Sequence, residues 1–93
     1  MTQANATSPY RTLDNPVGNI DLLNLLLDKG LPNAGPLKND AALARALEVA
    51  PPVISKIRHG RLPIGASLLI RMHEVFDVSI RELKRVARAE EPA

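Results

Sequence analysis

The apolar residues of this chain fall at helical spacing in five short stretches, each closed by glycine, proline or a polar turn. That pattern predicts a bundle of short helices. Ninety-three residues suffice for one core, not two. Tyr10 and Phe76 are the only aromatics, so that core must be built from Leu, Ile, Val and Ala. Cysteine is absent, which rules out disulfides, thiolate metal sites and a cysteine nucleophile, and suits a reducing compartment. Residues 1–9 are polar and contain no apolar run, so neither a signal peptide nor a membrane span begins there, and the expected location is the cytoplasm. No internal repeat and no strand–helix alternation is visible.

Residues 1–18 mix Thr, Gln, Asn, Ser and Pro without a period and predict a flexible arm, with a domain over 19–89 and a tail over 90–93. The first helix is expected over 20–29, with Asn19 as its N-cap and Gly30 closing it. Its leucines and Ile20 cover roughly 220° of the circumference, against the stripe of about 100° that a surface helix needs. The surplus predicts a cover, either the arm through Val17 or Tyr10, or a partner chain. A Gly- and Pro-rich loop leads to a second helix over 41–47, capped by Asn39 with Asp40 near its positive end. The third helix is expected from Pro51 or Pro52 to His59, with Pro51 at the cap because a residue before proline avoids the α region. A fourth spans 66–76. A fifth spans 80–89 behind the capping-box pattern Ser79-Ile80-Arg81-Glu82.

Net charge is only +2, but it is unevenly placed. No Asp or Glu occurs between Val49 and His73, whereas Lys56, Arg58, Arg61 and Arg71 all do. Basic residues without interspersed acids suit a polyanion, because each neutralised phosphate releases counterions. A solvated basic face accounts for four charges almost as well.

The second and third helices form the most informative pair. Ala44 is small where they should cross, and Leu43, Leu47, Val49, Ile54 and Ile57 are apolar where they must rest on the other helices. On a helical wheel of the third, Pro51, Ser55, His59, Pro52 and Lys56 occupy about 140° of arc, while Val53, Ile54 and Ile57 occupy the opposite side. One side is for the core and the other for a partner. An α-helix fits the DNA major groove, whose base edges carry distinct donor and acceptor patterns.

The run Leu43, Ala44, Val49, Ile54, Ser55, Lys56, Ile57 and Gly60, continued through Pro63, residues 68–76 and Val78-Ser79-Ile80-Arg81-Glu82-Leu83, resembles the Cro/CI-type helix-turn-helix family of lambda-repressor-like DNA-binding domains. The resemblance covers about residues 19–86 and implies an all-α, five-helix lambda-repressor-like bundle. It implies base reading by Pro51, Pro52, Ser55 and Lys56. Phosphate contacts are expected at Lys38 and Asn39, at the start of the second helix, and at His59 and Arg61 past the third. Arg58 is expected to reach a phosphate or to pair with Glu74 or Glu82. Four residues depart from the family pattern, in three places. Pro51 and Pro52 stand where polar side chains are common, Glu48 where glycine is favoured, and Arg58 where an acid is frequent.

One such unit spans about one half-site, so a homodimer is expected. Its interface is expected on Ile80, Leu83, Val86 and Ala87, or on the surplus arc of the first helix. Catalysis, metal and cofactor have little support: His59 and His73 lie fourteen residues apart with no carboxylate pair at ligand spacing. The expected function is a small, sequence-specific regulator of transcription, a repressor of bacterial or phage type, bound to double-stranded DNA in the nucleoid. Alternatives are an antitoxin that uses the same DNA face and neutralises a toxin, and a helical protein-interaction module that no longer reads DNA. No sensor domain accompanies the bundle, so ligand control is not expected.

Overall fold

The computed structural model describes residues 13–88, and over that span the chain is all-helical, with α1 Pro16–Lys29, α2 Asp40–Leu47, α3 Pro51–Arg58, α4 Ala66–Phe76 and α5 Ile80–Ala87. No helix among the described residues is long and apolar enough to cross a membrane. Helix α1 runs through the middle, packed on α5 and α3 and touching α2, while α4 closes the other side against α2 and α5. The core is aliphatic apart from Met72 and Phe76, with Leu22, Leu23 and Leu26 of α1 at its centre. Four of the five helices have eight to eleven residues, too short to persist alone, so each is held by the face it buries.

The N-terminal boundary differs from expectation. Helix α1 begins at Pro16, with Asn15 rather than Asn19 as N-cap: the Asn15 Oδ1 accepts from the Gly18 amide at 3.3 Å. Proline at the first helical position behind a capping Asn is a strong start signal, because its missing N–H has no intrahelical partner anyway. Asn19 lies one turn in, 2% exposed, and its Nδ2 donates to the Leu13 carbonyl at 2.9 Å. Residues 13–18 are therefore part of the domain. Leu13 is a core residue, and it exchanges both main-chain hydrogen bonds with Ile64, each at 2.8 Å. Residues 1–12 of the arm expected over 1–18, and the tail expected over 90–93, lie outside the described residues.

The surplus apolar arc of α1 is in part packed against the chain's own core. Leu25 and Leu27 are half-buried, and the loop after α1 folds back so that Leu31 and Leu37 pack on the core. The Leu37 amide donates to the Leu27 carbonyl at 2.9 Å. Val17, 66% exposed, is the one large exposed hydrophobic among the described residues. Tyr10 lies outside them.

Two of the expected interface residues are also core. Leu83 and Ala87 have no exposure, because α5 turns that side towards α1. Ile80 and Val86 stay half-buried and alone keep some surface. At the start of α5, Ser79 Oγ accepts from the Glu82 amide at 3.1 Å, as the capping pattern predicts. The Glu82 carboxylate, expected to reach back to the cap, instead holds Arg85 at 2.6 and 2.7 Å.

Candidate nucleic-acid interface

Helices α2 and α3 pack on each other across the three residues 48–50. Glu48 takes the left-handed conformation, φ 59° and ψ 42°, that ends α2 and redirects the chain. A glycine would adopt it without strain, whereas Glu costs on the order of 1 kcal/mol. The turn is nevertheless tied down. The Val49 amide donates to the Ala44 carbonyl at 3.0 Å, and Arg71 of α4 reaches over to the Leu47 carbonyl at 3.1 Å and the Glu48 carboxylate at 3.5 Å. A cation at the end of α2 also complements the negative end of its dipole.

Helix α3 starts one residue earlier than the pre-proline rule suggests. Ala50 is the N-cap, in the extended conformation that proline imposes on its predecessor, and both prolines lie in the first turn. Pro51 and Pro52 have no amide hydrogen, and the Val53 amide donates to the Ala50 carbonyl at 2.9 Å. The first turn therefore offers no free main-chain donor to a phosphate. Its side chains sort cleanly: Ile54 and Ile57 are buried, Val53 is half-buried, and Pro51, Pro52, Ser55 and Lys56 are all exposed. The helix ends at Arg58, with His59 as C-cap and Gly60 at φ 74° turning the chain away.

Around this face the expected rim residues fare differently. Lys38, Asn39, His59 and Arg61 are exposed. The Asn39 Oδ1 accepts from the Ala42 amide at 2.9 Å as the cap of α2, so only its Nδ2 is left to donate outward. His59 Nδ1 lies 2.8 Å from the Ser55 carbonyl, and since a carbonyl can only accept, Nδ1 carries the hydrogen. In the neutral ring Nε2 is then an acceptor.

Arg58 does not face solvent as a phosphate contact, nor does it pair with Glu74 or Glu82. Its guanidinium grips Asp40 in two places, Nε to Oδ2 at 2.6 Å and Nη2 to Oδ1 at 2.9 Å, and its Nη1 donates to Asn24 Oδ1 at 3.0 Å. The fork geometry of guanidinium and carboxylate makes this a bidentate ion pair. It joins the end of α3 to the start of α2 and to α1. Asp40 and Asn24 carry no sequence signal for this role, being 18 and 34 positions from Arg58.

The acid-free stretch thus contributes fewer free cations than its composition suggests. Arg58 and Arg71 are consumed within the fold. Lys56 and Arg61, joined by Lys38 from before α2, make no ion pair among the described residues and stand exposed. Among the described residues no group of three or more His, Asp or Glu side chains converges.

Comparison with known proteins finds no match among family models, curated proteins or solved structures.

Proposed function

We propose that the chain binds double-stranded DNA sequence-specifically and regulates transcription, with α3 in the major groove in the manner of a helix-turn-helix domain. The observation that carries this is the division of α3: Ile54 and Ile57 are sealed in the core, while Pro51, Pro52, Ser55 and Lys56 are presented outward. Lys56 can donate to guanine O6 and N7, Ser55 can donate or accept, and the proline rings can pack on thymine methyls. Lys38, Asn39, Arg61 and protonated His59 supply sequence-independent contacts to the backbone. Arg58 leaves this set and becomes the residue that orients α3.

A homodimer would place two such helices one DNA turn apart, and of the proposed interface residues Ile80 and Val86 retain the surface to take part. A repressor acts by covering a promoter. The nucleoid is the corresponding location.

Selection from a randomised duplex library, followed by anisotropy titration of the enriched site, tests the reading. Binding is expected to weaken with salt on a log–log slope of about −0.9 per phosphate contacted. A chain that enriches no sequence and binds no duplex at low salt is not a DNA reader. The two prolines favour a second reading in that event, a protein-interaction module, because their rings form an apolar tip without a hydrogen-bond donor.

A further inference from the structure

We propose that the proline tip of α3 recognises the methyl group at C5 of a pyrimidine, so that the bound site presents thymine there and 5-methylcytosine substitutes for it where cytosine does not. Binding then responds to cytosine methylation at that position. This rests on the DNA-binding reading above and names the chemical group that one end of α3 selects.

The two ends of α3 differ in chemistry. At the C-terminal end Arg58 grips Asp40 and so brings the start of α2 alongside, and the exposed cations Lys38 and Arg61 lie within three residues of that contact along the chain. That end suits phosphate. From Ala50 to Ser55 no residue is charged, and Glu48, two residues before the cap, is paired with Arg71 at 3.5 Å. Pro51 and Pro52 lack an amide hydrogen and carry only ring carbons, and the Val53 amide is taken by the Ala50 carbonyl at 2.9 Å. Backbone contacts are made by cations, polar side chains and free amides, so these exposed rings are poorly suited to phosphate. In a groove they belong against base edges.

Among the features of the major-groove edge, N7, O6, N6, N4 and O4 are polar, and the thymine C5 methyl is apolar. A proline ring pressed on a polar atom removes its water and returns no hydrogen bond, whereas on the methyl it buries apolar surface from both sides. The tip therefore sorts by the methyl. 5-Methylcytosine carries the same group on the same ring carbon and differs from thymine at C4, where an amino group replaces the carbonyl oxygen. The proline rings hydrogen-bond to neither. A glutamine or serine in their place, able to donate and accept, would tell the two apart. Pro52 and Lys56 are one turn, about 5.4 Å, apart on the exposed face, so the methyl and the base edge met by Lys56 fall within one half-site.

The test uses the full chain and the duplex enriched from an unmethylated random library, read by anisotropy, with each thymine replaced in turn by deoxyuridine, which lacks only the methyl. At one position or more of each half-site the replacement is expected to weaken binding about two- to fourfold, the effect of one buried methyl. With a C·G pair at that position, 5-methylcytosine is expected to bind at least about twofold more tightly than cytosine. A chain carrying both Pro51→Ser and Pro52→Ser is expected to lose both preferences there. Deoxyuridine tolerated within about twofold at every position, or 5-methylcytosine no better than cytosine, overturns the proposal whether or not the double variant folds. Preferences that the folded double variant retains overturn it equally. A chain that binds no duplex removes the DNA-binding reading and this proposal together, whereas binding indifferent to the methyl removes this proposal alone.

Discussion

A β-carbon placed on Gly18 would stand 1.8 Å from the carbonyl oxygen of Ala87, so α1 and α5 meet backbone to backbone. No rotamer can relieve such a contact, since the obstacle is main chain. The replacement Gly18→Ala gains at most about 1 kcal/mol of helix propensity and forces the two helices apart. A net loss of about 2 kcal/mol or more is expected. Urea unfolding reads it as a lower midpoint, and an unchanged or higher midpoint means that the crossing is looser than the structure has it.

The Asp40–Arg58 pair predicts a measurable coupling. The two side chains are 34% and 26% exposed, so solvent screens them in part, but the contact is bidentate. A double-mutant cycle with Arg58→Ala and Asp40→Ala should give a coupling of about 1 kcal/mol that shrinks in added salt. A coupling indistinguishable from zero at low salt removes Arg58 as the residue orienting α3.

Glu48 and Asp77 both occupy left-handed backbone, at φ 59° and 57°. Glycine relieves that strain, so Glu48→Gly should raise stability by up to about 1 kcal/mol, even though it gives up the exposed 3.5 Å contact with Arg71. Asp77→Gly should gain less, because a short polar side chain tolerates this conformation better. Thermal unfolding of the two variants beside the parent orders them, and the reverse order contradicts the account of the turn after α2.

On enriched DNA, Lys56→Ala should lose about 1–3 kcal/mol on the preferred site and relax the choice of base at one position. Arg61→Ala should weaken all sequences alike and reduce the salt slope by about one contact. Identical behaviour of the two variants would mean that Lys56 touches phosphate rather than a base edge.

Leu83→Ala and Val86→Lys separate fold from association. Leu83 has no exposure, so its truncation should cost about 2–5 kcal/mol of stability. Val86 is half-buried, and its replacement by lysine should leave most of the fold while lowering the mass seen in light scattering from two chains to one. A parent protein that scatters as a single chain, with and without DNA, removes the homodimer.

The helices were legible in the sequence because local signals agree with packing: Asn39 and Ser79 cap as their positions predict, and the apolar positions of α3 and α4 fall on the core side. The start of α1 was misplaced although Asn15-Pro16 carries the local signal of a capping Asn before a first-turn proline, because Asn19 also suits a cap and residues 1–18 show no apolar period. Where Arg58 points was not legible. Its partners are remote along the chain, and charge composition does not distinguish an arginine that grips a carboxylate from one that awaits a phosphate. Leu83 and Ala87 were open to two readings because a helix's apolar side looks the same in sequence whether it meets its own chain or another. The outward face of α3 was legible from periodicity alone, since its burial follows from which residues cannot leave the core.

The paired rings at the start of α3 have a thermodynamic consequence for whatever surface meets them. Proline has no side-chain rotors to freeze on contact, so docking that tip forfeits almost no configurational freedom, whereas a Gln or Arg in the same place would surrender most of its own. The rings also leave water without exchanging hydrogen bonds. Engagement there should register as a negative change in heat capacity, with little dependence on ionic strength. Calorimetry at several temperatures would thus tell contact at the prolines from contact at the neighbouring cations, whose share fades as salt is added.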